Sequence, residues 1–95
     1  MLGHIAMVKW TIKYTKQVVS DSVKIKAAGL KKKTERLLNL ISENPYANPP
    51  SFEQLLGFQN VYSRRINIKH RLVYEIIKEE NTIKIISIWG HYDDN

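Results

Sequence analysis

From residue 61 to residue 92 the chain alternates apolar and polar side chains in three runs separated by short turns, a pattern that fits an antiparallel meander. Strands are predicted at about 61–67, 71–78 and 82–92, with Glu79, Glu80 and Asn81 turning between the last two. Tyr62 and Ile66 share one parity, and Leu72, Tyr74 and Ile76 share one on the next strand. If both sets face the core, a hairpin centred on Ile68 sets Arg65 directly opposite Arg71 on the other face. Like charges directly opposite each other are destabilising. An anion between them relieves the repulsion, and the planar fork of arginine grips two phosphate oxygens at once. The alternative is two solvated surface arginines, or one paired with Glu75 or Glu53. By the same parity Arg64 falls on the core side, so either it snorkels at the edge or a bulge shifts the register.

Upstream, Val8, Trp10, Ile12 and Tyr14 alternate with Lys9, Thr11 and Lys13, the mark of a half-buried strand. Thr15 is a helix cap, and Val19, Val23, Ala27 and Leu30 fall at helical spacing as the predicted inner stripe of the helix it opens. Gly29 closes or bends that helix. A second helix starts near Leu30, with Leu30, Thr34, Leu37, Leu38 and Ile41 inward, and ends at Asn44 because the residue before a proline disfavours the helical region. Residues 45–51 read as an ordered loop, and 52–56 as a short strand or turn. The order β-α-α-β-β-β predicts an α+β fold, a small antiparallel sheet with two N-terminal helices packed on one face. Residues 7–95 are expected to form the single domain. Residues 1–6, His4 among them, are expected to be a cloning remnant or short extension, and Asp93, Asp94 and Asn95 a frayed tail.

The balance of 15 Lys+Arg against 9 Asp+Glu leaves a formal charge of +6, which suggests a polyanionic partner. A basic protein with no polyanion is the bland alternative. No apolar run approaches the ~18 residues that a membrane span needs. With no cysteine there are neither disulfides nor thiolate metal sites. No metal-ligand spacing and no Gly-rich phosphate loop appears, so neither a metal nor a cofactor is expected. A cytoplasmic location is the default. His91 and Tyr92 end the last predicted strand, where a histidine can exchange a proton near neutral pH. Glu53 is a candidate general base at the entry to the sheet, or else an ordinary surface carboxylate. Lys31, Lys32 and Lys33 solvate a helix face or meet RNA. Arg64, Lys69 and His70 are further candidate RNA contacts, His70 alternatively being a turn residue.

The segments Pro49-Pro-Ser-Phe-Glu-Gln-Leu-Leu-Gly57, Tyr62-Ser-Arg-Arg-Ile66, His70-Arg-Leu-Val-Tyr74 and Gly90-His-Tyr92 closely resemble the Txe/YoeB family of toxins in the RelE/ParE superfamily. The resemblance covers residues 7–92, and the combination at these spacings is specific where any one segment alone is weak. It implies the toxin half of a type II toxin–antitoxin pair, an endoribonuclease that cleaves mRNA on the ribosome and stops translation. It also implies that the catalytic set is Glu53, Arg65, Arg71, His91 and Tyr92. Glu53 would take the proton of a ribose 2′-OH, Arg65 and Arg71 would stabilise the phosphoryl charge, His91 would protonate the leaving 5′-oxygen, and Tyr92 would orient the phosphate or stack on a base. This sequence departs from the family pattern in a loop before Ser63 that is one residue shorter and in the three residues after Tyr92. The partners implied are mRNA, the ribosome, a Phd/YefM-type antitoxin with an acidic C-terminal segment and a second copy of the chain. Operator DNA is reached only through the antitoxin. Two rival readings stay open, a ParE-like toxin that binds gyrase without nuclease chemistry and a non-enzymatic nucleic-acid-binding module.

Overall fold

A computed structural model describes residues 9–91, with only the backbone at His91. The elements are β1 (Thr11–Tyr14), α1 (Lys16–Ala27), α2 (Lys31–Glu43), β2 (Glu53–Gln54), β3 (Val61–Arg65), β4 (His70–Ile77), a 3-10 turn (Lys78–Glu80) and β5 (Thr82–His91). They form an α+β fold whose single sheet has the strand order β1-β5-β4-β3-β2. The sequence pattern led to the expectation of an antiparallel sheet; the sheet is instead mixed, because β1 runs parallel to β5. The two helices supply the crossover between those parallel neighbours, as a parallel pairing requires.

Both helices cover the face of the sheet that carries Leu72, Tyr74, Ile76, Ile83 and Ile85, and Val18, Ile25, Leu30, Leu37, Ile41, Ile66 and Ile88 complete the core. Thr15 caps α1, its hydroxyl accepting from the Val18 amide. At the other end Gly29 sits at φ +74, and the Gly29 and Leu30 amides donate to the Lys26 and Ile25 carbonyls. That pattern of two bonds over a left-handed residue is the Schellman stop that glycine favours. In α2, Thr34, Leu37 and Ile41 are buried as the spacing predicts.

The inner face of α1 differs from expectation. Val19 and Val23 are 66% and 70% exposed, and the buried residues are Val18, Asp21 and Ile25. A carboxylate occupies the middle of the packed face, and this hides the true stripe from any search for apolar spacing. The reason for the carboxylate lies in β5. Its pairing with β4 slips twice, from Tyr74↔Ile85 to Val73↔Ser87 and then to Arg71↔Gly90, so β5 carries two extra residues. Bulges leave backbone groups outside the ladder. At the first bulge the Thr15 hydroxyl donates to the Ile86 carbonyl at 2.8 Å. At the second, Asp21 Oδ2 accepts from the Ile88 and Trp89 amides at 3.0 and 3.3 Å. Tyr14 also differs from the predicted buried parity of β1, being 54% exposed.

Candidate functional site

The register between β3 and β4 pairs Arg65 directly with Arg71. Residues opposite each other in an antiparallel ladder share a face, and so do residues two apart along a strand. Glu53 of β2 pairs with Ser63, two residues before Arg65. Glu53, Ser63, Arg65 and Arg71 therefore share the face away from the helices. Because the two slips of β5 cancel in parity, Gly90 lies opposite Arg71 on that face. A methyl group built on Gly90 would stand 3.5 Å from Arg71 Cγ, an ordinary contact distance, so the arginine stem lies directly beside this position. Arg65 and Glu53 are exposed and Arg71 is half-buried. Arg65 Nη1 donates to the Ile68 carbonyl at 3.3 Å, tying its guanidinium to the hairpin turn.

His91 is the register partner of His70 at the end of β5, while its side chain, like the whole of Tyr92, lies outside the described residues. Of the five residues assigned a catalytic role, the described structure thus brings together Glu53, Arg65 and Arg71 on one face, with the backbone of His91 one residue beyond Gly90.

Two of the residues offered as RNA contacts turn inward. Arg64 is 1% exposed. Its Nε donates to the Tyr74 hydroxyl at 2.9 Å, Nη1 to the Pro50 carbonyl at 2.6 Å and Nη2 to the Pro45 carbonyl at 2.9 Å. Its guanidinium carbon also lies 4.6 Å from the centroid of the Phe52 ring. The register needs no bulge in β3 to accommodate it: Arg64 pairs with Leu72, on the core side. A guanidinium is suited to this place because its donors fan out in a plane and can reach three separate acceptors. The interaction hangs the loop between α2 and β2 on β3 and β4, immediately before Glu53. Arg64 is therefore a support of the site and offers no surface to RNA.

His70 is likewise buried, at 7% exposure, and its ring stacks on Trp89 with centroids 3.8 Å apart and planes 19° from parallel. Lys69 is exposed at the hairpin turn, while Lys31, Lys32 and Lys33 are exposed in the first turn of α2, on the helical layer rather than the open sheet face.

Burial pushes the Tyr74 hydroxyl above its ordinary pKa of 10.0, and the Arg64 hydrogen bond and charge pull the other way. Tyr74 keeps its proton and donates it to the Pro45 carbonyl at 3.1 Å. Phe52 and Asp21 escaped the sequence reading as site supports. The one usable signal was Arg64 itself, a charge at a core parity beside the proline loop. Among the described residues no three His, Asp or Glu side chains cluster as metal ligands, and no helix is long and apolar enough to cross a membrane.

An arrangement of one exposed carboxylate and two facing guanidinium groups on a sheet surface is suited to binding a phosphodiester and withdrawing a proton beside it. Residues 12–95 match the family described as the ParE toxin of the type II toxin–antitoxin system, parDE. Among solved structures, a YoeB/ParE toxin from Agrobacterium tumefaciens is 25% identical, with a TM-score of 0.76 over 86% of this chain and 99% of that one. The YoeB dimer from Staphylococcus aureus is 32% identical, with a TM-score of 0.73 over 90% of this chain and 100% of that one. The YoeB–YefM complex from Staphylococcus aureus gives 32% identity and a TM-score of 0.71 at the same coverage. Sequence comparison with curated proteins returns no match.

Proposed function

We propose, from the premise that this chain belongs to the ParE toxin family of type II toxin–antitoxin systems and is a YoeB-like toxin of the RelE/ParE superfamily, that it acts by cutting RNA. The observation that carries the reading is the pairing Arg65↔Arg71 on the face that also holds Glu53. Glu53 accepts the proton of a ribose 2′-OH, and the 2′-oxygen attacks the adjacent phosphorus. Arg65 and Arg71 hold the charge that gathers on the phosphoryl oxygens. His91 gives a proton to the departing 5′-oxygen, and Tyr92 orients the phosphate or stacks on a base. The roles of His91 and Tyr92 rest on the family resemblance. Atoms balance without added water: the products are a 2′,3′-cyclic phosphate and a 5′-hydroxyl.

The substrate in this reading is mRNA on the ribosome, in the cytoplasm, and the outcome is arrest of translation. The Staphylococcus aureus YoeB has been solved as a dimer and with YefM. By that likeness this chain pairs with a second copy and with a Phd/YefM-type antitoxin, whose acidic disordered segment the charge of +6 suits. Operator DNA is met through the antitoxin.

End-group analysis of RNA cut by the purified toxin, with and without ribosomes, tests the chemistry. A 5′-hydroxyl end is expected, together with a loss of ~10²-fold or more in rate for Arg71→Ala. Chelator-sensitive cleavage that leaves a 5′-phosphate defeats the scheme. The match to the ParE family favours one second reading, a gyrase-directed toxin without nuclease activity. That reading predicts unaltered RNA and growth arrest that survives Glu53→Gln.

A further inference from the structure

Where Arg65 ends β3, the sheet has no further neighbour, because β2 pairs only with Ser63 and Tyr62. At that uncovered edge the structure forms a cavity of about 300 Å³ between β3 and α2. Lys33, Arg36 and Arg65 contribute its cations, Leu37, Leu40 and Ile66 its apolar floor, and its lining contains no acidic side chain. Lys33 and Arg36 are three residues apart on one helix and so neighbour each other on its surface. Like charges at that spacing repel. Cations also oppose the dipole in the first turn of a helix, where α2 holds Lys31, Lys32 and Lys33, no acid and no side-chain cap. Glu35 stands four and three residues from Lys31 and Lys32, whereas Lys33 and Arg36 have no acidic side chain beside them in the cavity lining, so the stability of the helix does not account for this pair.

We propose that this edge cavity receives one unpaired nucleotide of the RNA, next to the linkage held between Arg65 and Arg71. Its phosphate lies among Lys33, Arg36 and Arg65, and its base or ribose covers Leu37 and Leu40. Three features favour RNA over an acidic protein segment. The volume is at the small end of ligand sites and takes a single flat ring. Guanidinium planes and apolar floors are how unstacked nucleotides are held. Arg65 also makes the cavity continuous with the proposed cleavage site, so a strand leaving that site over the sheet edge arrives here. The inference rests on the RNA reading and assigns it a subsite formed by α2, outside the residues that do chemistry.

The experiment measures binding of a single-stranded ten-nucleotide DNA, which lacks the 2′-OH and is not cut, across a range of salt concentrations. It compares the full chain, Lys33→Ala/Arg36→Ala, and Lys24→Ala/Lys78→Ala, which removes equal charge elsewhere. The edge variant is expected to bind about tenfold more weakly, with a log–log salt slope shallower by about 0.7, as the loss of one phosphate contact requires. The control variant should change little, and both should keep the far-ultraviolet circular dichroism of the parent. With RNA as substrate, the edge variant should raise KM and keep kcat within about twofold, the pattern of lost ground-state binding. Equal behaviour of the two variants overturns the subsite. So does a deca-glutamate peptide that binds more tightly than the DNA and depends on Lys33 and Arg36. If the parent cuts no RNA but the DNA result holds, the nuclease reading fails and the anion site stands. If it cuts RNA and the variants bind DNA alike, the reverse follows.

Discussion

Arg64 and Arg65 are neighbours of the same type and have opposite fates. One is sealed beneath the sheet with Pro45, Pro50 and Tyr74 as acceptors, and the other is exposed opposite Arg71. Arg64→Met takes the donor from the Tyr74 hydroxyl and the Pro50 carbonyl, while the Pro45 carbonyl keeps the Tyr74 hydroxyl, at ~1–3 kcal/mol for each group stranded from water. A loss of about 2–4 kcal/mol in urea unfolding is expected, against a change within ~0.5 kcal/mol for Arg65→Met. Equal effects in the two variants would contradict the clamp. Tyr74→Phe strands Arg64 Nε and is expected to cost about 1–3 kcal/mol at neutral pH. Tyr74 also sets a pH limit. The folded chain holds this proton more tightly than the unfolded one, whose value is near 10.0. Its contribution is intact below that pH and is lost as the pH rises toward the folded value. Unfolding midpoints compared at pH 8 and 11 should fall less steeply in Tyr74→Phe than in the parent. At this scale the sequence was legible wherever parity alone decides. Arg65 opposite Arg71 follows from counting, whereas the inward role of Arg64 depends on carbonyls contributed by a loop 14 and 19 residues away.

Elements were legible where apolar spacing and chain punctuation coincide. Thr15, Gly29 and Asn44 bound the helices at the places their chemistry dictates. The inner face of α1 was not legible, because its purpose there is polar. Asp21 answers amides that β5 leaves unpaired, and nothing in the α1 sequence announces a bulge some 67 residues later. Two variants separate the faces. Val19→Ser/Val23→Ser should leave the unfolding midpoint nearly unchanged, since both valines face solvent. Asp21→Ala should cost about 2–4 kcal/mol by stranding two buried amides. It should also speed hydrogen exchange at Ile88 and Trp89 before it speeds exchange elsewhere. A larger loss from the valine pair than from Asp21 would restore the apolar stripe as the packed face.

Across the whole molecule the sheet is closed by its first strand, which reaches 71 positions along the chain to pair Thr11 with Thr82. Alternation identifies strands but not partners, so the meander was evident in the sequence and the parallel pairing was not. Without β1, its neighbour β5 becomes an exposed edge that invites pairing with other chains. A chain lacking residues 1–14 is expected to lose cooperative thermal unfolding and to elute as aggregates in size-exclusion chromatography. A monomer with the parent's unfolding profile would show the parallel strand to be dispensable. Charge, too, belongs to this scale. Of the 15 basic residues, Arg64 lies under Tyr74 with a hydroxyl and two carbonyl oxygens as its hydrogen-bond partners among the described residues. An ion in solution can settle beside an exposed lysine and cancel its pull, but it cannot enter here. A polyanion docked over this sheet would meet that interior charge as well as the exposed ones.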